Sequence, residues 1–244
     1  MKSHQDAFGH GMFDWLNGIR GAEIIERDDG NFEVSGGPQA YFAEYKNWSP
    51  HEKKAIRYAR GRVLDIGCGA GRCMLYLKRK GLDAVGIDTS PLAIKVCKKR
   101  GLQNVKQLSV AQVSSKLGIF DTILMYGGNF GLVRNPKTAR WLLRKFYRMT
   151  SERARIVACS LDPYQAPAIE HLEYHKLNRQ RGRMPGQVRV RLRYKKSASP
   201  WFDWLVVSKS EMADLLRGTG WHVRKAIDSE RGPCYATIIE KTKK

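Results

Sequence analysis

Two hydrophobic rhythms alternate along most of this 244-residue chain. "RVLDIGC" (62–68) reads as a buried strand, and "AGRCMLYLKRKG" (70–81) then spaces its apolar residues as one face of a helix that Gly81 ends. "DAVGID" (83–88) reads as a second strand. "SPLAIKVCKKRG" (90–101) reads as a helix with Ser90 as its cap, Pro91 in its first position and Gly101 as its stop. The alternation continues through strands "NVKQLSV" (104–110) and "FDTILMYG" (120–127), helix "TARWLLRKFYRMT" (138–150) and strand "ARIVACSL" (154–161). Strands alternating with amphipathic helices predict a parallel sheet covered on both faces, an α/β, Rossmann-like, doubly wound fold. Upstream, "SPHEKKAIRYAR" (49–60) predicts a helix capped by Ser49, with Pro50 first and Glu52 in the reciprocal capping position. Residues 1–48 are aromatic and glycine-rich, patterned as short helices or loops.

The rhythm breaks after residue 161. "DPYQAPAIEHLEYHKLNRQRG" (162–182) is polar and helical in part, whereas "QVRVRLRY" (187–194) has period two, with Arg189, Arg191 and Arg193 on one face. It can pair with "SPWFDWLVV" (199–207) as a hairpin, which makes about 162–207 an insertion at the carboxyl edge of the sheet. A capped helix, "SKSEMADLLRGTG" (208–220), then leads into the strands "WHVRKAID" (221–228) and "YATIIEK" (235–241), a terminal hairpin.

Composition narrows the class. Five scattered cysteines with no C-x-x-C pair argue against a disulfide framework or zinc site, so no metal is expected. No apolar run is long enough to span a membrane, and "MKSHQDAFGHGMF" lacks a secretion-signal core, so the expected location is cytoplasmic. The net charge of +21 fits either a polyanionic partner or a generally basic surface, with its densest cluster at 178–196.

The candidate chemistry lies where the first strand of the alternation meets its helix. Gly67, Gly69 and Gly71 let the backbone turn sharply and approach a ligand closely. A dinucleotide fingerprint is G-x-G-x-x-G, but its last glycine falls on Arg72 here, which disfavours a nicotinamide dehydrogenase. Asp88, 23 residues after Asp65, ends the next strand, where a carboxylate accepts both ribose hydroxyls. Asp65 is placed to orient an ammonium. The ligand is therefore a nucleoside with a zwitterionic arm.

These residues resemble motif I and the second-strand acid of class I S-adenosylmethionine (SAM)-dependent methyltransferases. The fourth-strand loop "YGGNFGL" (126–132), with "PGQVRVRLRY" and "PWFDWL", resembles a bacterial small-molecule-type group of mostly unassigned substrate. The resemblance implies SAM as cofactor, a seven-stranded, mostly parallel sheet with an antiparallel terminal hairpin, and an inserted cap. It also implies an N-terminal aromatic cap segment over 1–48 and a methyltransferase domain over 49–244. By position, Asp65, Gly67, Cys68 and Gly69 would hold the methionine part, and Asp88 the ribose with Thr89 beside it. Ser109 and Val110 would flank the adenine, with Tyr126, Gly127 and Gly128 beneath the sulfonium. Tyr41 and Tyr45 are the aromatic candidates to reach SAM from the N-terminal segment.

The acceptor is less legible. "GGNFGL" lacks the prolines of the Asn/Asp-Pro-Pro loops of exocyclic-amine nucleic-acid enzymes. The Pro-Cys pair that cytosine C5 enzymes use is found only at Pro233-Cys234, read as a turn and a buried cysteine. Asn129 can orient an acceptor or cap the following turn. His171 and His175, on a helix face beside that of Glu170, Tyr174 and Arg181, are general-base candidates or structural residues. Arg179, Arg189 and Arg191 can bind a carboxylate or phosphate on the substrate, or the arginines of the strand form a solvated face. The expected function is methyl transfer to a small-molecule acceptor, anionic ones included. The alternatives are an RNA methyltransferase using the basic surface and a non-catalytic SAM- or nucleoside-binding module.

Overall fold

The computed structural model describes residues 2–165 and 168–242. Residues 166 and 167, inside the predicted insertion, lie outside the described residues. In chain order the elements are α1 (Ala7–Leu16), β1 (Glu23–Arg27), β2 (Phe32–Val34), α2 (Gln39–Phe42), α3 (Pro50–Ile56), β3 (Val63–Ile66), α4 (Arg72–Arg79), β4 (Ala84–Asp88), α5 (Pro91–Lys99) and β5 (Val105–Gln107). Then follow β6 (Phe120–Met125), α6 (Pro136–Arg148), β7 (Thr150–Leu161), α7 (Ile169–Gln180), β8 (Gln187–Tyr194), β9 (Ser197–Ala198), β10 (Phe202–Leu205), α8 (Lys209–Leu216), β11 (Trp221–Asp228) and β12 (Cys234–Lys241).

A seven-stranded sheet has the order β11-β12-β7-β6-β3-β4-β5. The pairs β4–β5 and β6–β7 are parallel, while β12 runs antiparallel to both β7 and β11. This is the doubly wound sheet with the antiparallel terminal hairpin that the alternation predicted. A second sheet, β10-β8-β1-β2 with β9 on β8, corrects the reading of the first 48 residues as helix and loop. "EIIER" is a strand, paired antiparallel with β8 from Glu23↔Tyr194 to Arg27↔Val190. Two glutamates and an arginine hide its period, and its partner lies far along the chain, so local pattern could not reveal it.

Side-chain caps start α1, α5, α6 and α8. The Ser90 hydroxyl accepts the Ala93 N–H at 2.9 Å, Asn135 Oδ1 accepts the Thr138 N–H at 2.9 Å, and Ser208 and Glu211 form a reciprocal box. Ser49, where the sequence predicts a cap, makes no side-chain capping bond; its hydroxyl donates to the Glu52 carboxylate at 3.2 Å. The predicted 49–60 helix also stops at Ile56, because the Arg60 N–H donates to the Thr122 hydroxyl of β6 at 3.0 Å.

The chain packs as two compact units. One comprises Met1–Asn47, Asp65–Val110 and Arg189–Phe202; the other comprises Trp48–Leu64, Ala111–Val188 and Asp203–Lys244. In the first, α1 lies on α5 and the glycine turn through Met12, Ala70, Ala93 and Val96, with Phe8, Phe13, Tyr41 and Phe42 packed around them. Asp6 fastens this contact. Its Oδ1 accepts the Gly9 N–H at 3.0 Å, while Oδ2 accepts the Ser90 hydroxyl at 2.8 Å and the Leu92 N–H at 3.2 Å. One carboxylate thus caps α1 and ties it to the start of α5. In the other unit, Phe120, Phe130 and Phe146 are fully buried, each contributing roughly 1.5–3 kcal/mol through burial.

Candidate functional site

The glycine turn lies in the first unit and leans on β4. Gly67 and Cys68 donate their N–H groups to the Ile87 carbonyl at 2.9 and 3.0 Å, and Gly69 donates to Asp88 Oδ2 at 2.9 Å. Asp88 Oδ1 accepts the Ser90 N–H at 2.9 Å, so the carboxylate is oriented from both sides. Burial raises its pKa, and these backbone hydrogen bonds oppose the rise. A carboxylate has about four acceptor sites, which leaves capacity for a ligand's hydroxyls. Leu108 donates its N–H to the Asp88 carbonyl at 2.8 Å, and the half-buried Ser109 and Val110 follow it. Thr89 is exposed, and its carbonyl accepts from Gln107.

Asp65 is only 2 % exposed, and its Oδ2 has no hydrogen-bond partner. Burial lifts its pKa to about 7; the Arg72 guanidinium draws it down and Asp88 pushes it up. Cys68 differs from the expectation for its side chain. The thiol turns into a core cluster with Met74, Ile94 and Cys97, and a hydrogen bond with Cys97 and burial push its pKa well up. Only its backbone lines the turn.

Tyr41 and Tyr45 lie in the same unit. The Tyr41 hydroxyl donates to Glu23 Oε2 at 3.2 Å; burial, then the charges of Glu23 and Asp88, raise its pKa. Tyr45 stacks on Tyr76 of α4 with ring centroids 4.7 Å apart. Sequence reasoning missed Asp6, Glu23 and Met12. A Cβ built on Gly69 would sit 3.6 Å from the Met12 sulfur, so α1 covers the turn. The signal for Asp6 was present as an acid capping a helix that opens "AFGHGM". Gly9 is required there, since a Cβ would lie 2.4 Å from both Asp6 Oδ2 and the Ser90 hydroxyl.

The remaining candidates belong to the other unit. Tyr126 is buried; its hydroxyl donates to the Glu52 carbonyl at 3.0 Å and its ring lies 6.0 Å from Trp48. Gly127 and Gly128 carry the chain through positive φ to Asn129, which is half-buried and opens the 3-10 turn Asn129–Val133. Trp204 lies against this turn, and a Cβ on Gly131 would meet its Nε1 at 2.2 Å. On α7 the buried face is Tyr174, His175 and Asn178, which corrects the predicted grouping of Tyr174 with Glu170 and Arg181, both exposed. The helix packs through neighbouring i, i+1 and i+4 positions. His175 stands edge-on to Tyr164 at 5.9 Å, and His171 is half-buried one turn earlier.

Two further expectations are corrected. Arg191 forms a bidentate pair with Glu26 at 2.7 and 2.8 Å, and Arg193 pairs with the same carboxylate. Their guanidinium groups hold the Glu26 carboxyl well below its usual range. These arginines therefore answer an internal acid and not a substrate anion. Cys234 is exposed at the start of β12 instead of buried, and partial burial and Glu52 raise its thiol pKa. Among the described residues, no helix is long and apolar enough to cross a membrane.

Residues 63–153 match a family model described as a methyltransferase domain. The chain is 42% identical over 77 residues to the 2-heptyl-1-hydroxyquinolin-4(1H)-one methyltransferase of Mycobacteroides abscessus, covering 30% of each. It is 32% identical over 127 residues to the tRNA (uracil(54)-C(5))-methyltransferase of Pyrococcus horikoshii, covering 50% of this chain and 29% of that protein. The alignments thus span under a third of the length of these curated relatives. A SAM-dependent methyltransferase from Bacteroides fragilis, solved with S-adenosyl-L-homocysteine, superposes with a TM-score of 0.84 at 21% identity, over 100% of this chain and 98% of that one. With its strand order, its glycine turn and the family match over residues 63–153, the chain carries a methyltransferase domain of the class I, SAM-dependent fold.

Proposed function

We propose that this chain transfers the methyl group of SAM to a small-molecule acceptor. The observation that carries the cofactor assignment is the buried Asp65 carboxylate with its unpartnered Oδ2. A buried acid lacking a partner calls for a cationic donor, and the α-ammonium of SAM's methionine end supplies one. Asp88 would take the ribose hydroxyls and the segment at Ser109 and Val110 the adenine. Bound SAM supplies an electrophilic methyl on a sulfonium. The protein's part is to align an acceptor and exclude water. Asn129, His171 and His175 are the candidates to orient that acceptor or take its proton.

The small-molecule reading is supported by the relative with the higher identity, whose name gives a quinolone as its substrate. The +21 charge and the tRNA-modifying relative favour RNA as the second reading. Incubation with methyl-labelled SAM and fractionated cell extract separates them. Label in the low-molecular-weight fraction is expected; label confined to RNA would overturn the first reading. Failure to form S-adenosylhomocysteine with any fraction would favour a binding module.

Asp65 also predicts a pH signature. Its pKa is about 7 in the fold against about 3.9 in an unfolded chain. Without cofactor, its contribution to stability is complete below about pH 4 and lost as pH rises through about 7. An incoming ammonium reverses this preference, so SAM should bind more tightly as the carboxyl ionises. Melting curves at about pH 5.5 and about pH 7.5 should show a larger SAM-induced rise at the higher pH. Asp65→Asn should flatten that difference; an unchanged difference would remove Asp65 from the cofactor site.

A further inference from the structure

An open pocket of 590 Å³ in the unit that holds β7, β11 and β12 is lined by Lys54, Arg57, Tyr58, Arg155, Lys225, Ala226 and Ile227. Four of these seven residues are cationic and none is acidic. The first three come from α3 and the turn after it, Arg155 from β7 and the rest from β11. None belongs to the glycine turn or to the candidates for acceptor binding.

Arg155 sets this pocket apart from an ordinary basic surface. It is 8 % exposed, its Nη1 donates to the Tyr58 carbonyl at 3.1 Å, and its Nε has no hydrogen-bond partner. Its Nη2 meets Glu240 at 3.2 Å, but the same Glu240 oxygen also pairs with Arg224 at 2.8 Å, so one acid serves two guanidinium groups. Burial, then the neighbouring charge of Arg60, draws the Arg155 pKa down. Lys225 Nζ donates to the Tyr58 hydroxyl at 3.4 Å, and the Arg155 guanidinium lies 6.0 Å from the Tyr58 ring. Lys54 pairs with Glu230 at 3.8 Å, with both groups exposed. A buried guanidinium with incomplete compensation, facing further cations, is stabilised most by an anion with several oxygens. Tyr58 adds an aromatic face beside the charges.

We infer that this pocket binds a phosphate-bearing ligand, supplied either by a free nucleotide or by the phosphodiester backbone of RNA. Guanidinium and ammonium donors from three elements match the anionic oxygens that a nucleotide's phosphates and an RNA phosphodiester share. The inference is independent of the methyl acceptor, because binding is read without SAM.

The test titrates the full chain with ADP and, separately, with a short labelled oligouridylate. Two double variants are compared, Lys54→Ala/Lys225→Ala at the pocket and Lys116→Ala/Lys137→Ala at exposed positions elsewhere. The pocket variant should lose about tenfold or more in affinity for the probe that binds, and the remote variant less than about twofold. ADP binding that the oligonucleotide does not displace assigns the pocket to a free nucleotide. Oligonucleotide binding whose salt slope falls by about 1.4 in the pocket variant, two contacts at about 0.7 each on a single strand, assigns it to RNA. Equal losses in both variants would show diffuse attraction and overturn the site, as would the absence of binding by either probe.

Discussion

Asp88→Ala is expected to weaken SAM binding by about a hundredfold or more. The carboxylate accepts the Gly69 and Ser90 N–H groups at 2.9 Å each, so it is already aimed before a ligand arrives. Two ribose hydroxyls donating to such an ion contribute about 1.5–3 kcal/mol each, and 1.4 kcal/mol is a factor of ten. Alanine removes both bonds and also strands two backbone donors at the turn. Asp88→Asn should fall between the two, since its amide keeps one acceptor oxygen. Calorimetric titration with S-adenosylhomocysteine measures the order wild type, asparagine, alanine. Alanine binding within about threefold of wild type would move the ribose elsewhere.

Gly71→Ala should cost about 3 kcal/mol of folding stability in a urea titration. The residue has φ +80° at the start of α4, and its Cβ would fall 2.3 Å from Leu102 Cδ1 and 3.1 Å from Cys97 Sγ. The left-handed backbone costs an alanine roughly 1–2 kcal/mol, and overpacking adds roughly 1–3 kcal/mol. Leu102 cannot easily withdraw, because its side chain is buried in a cluster with Met74, Ile94, Cys97 and Val105. Gly81→Ala is the control, with φ +71° but no atom within 4 Å of its Cβ. It should show the backbone cost alone. Equal losses would place the whole effect in φ and dismiss the packing argument.

The contrast between these glycines also marks what the sequence could tell. Short-range chemistry was legible: the strand-helix alternation, the Ser90 and Ser208 caps, the glycine turn and Asp88 all follow from patterns within a few residues. Long-range pairing was not. Glu26 and Arg191 are 165 residues apart, so nothing local marks them as partners, and the arginine face of β8 invited a substrate that the fold does not need to supply. Asp6 reaches Ser90 across 84 residues, and a helix cap gives no hint that it serves two helices. The Ser49 motif failed for a subtler reason: the hydroxyl donates to the Glu52 carboxylate instead of accepting the backbone N–H that a cap would satisfy. The face of α7 was misjudged because a helix wheel orders positions without saying which arc meets the core.

Asp6, Ser90 and Asp88 form one relay. Ser90 gives its hydroxyl to the first acid and its N–H to the second. Any nucleoside that grips Asp88 therefore favours the same arrangement of Ser90 that holds α1 in place. Thermodynamic reciprocity makes the converse equally true: whatever strengthens the seating of α1 raises affinity at the ribose acid by the same factor. Helix α1 and its cap Asp6 are thereby coupled to the acid proposed for the ribose, and a substitution that loosens α1 should weaken nucleoside binding without touching the ligand.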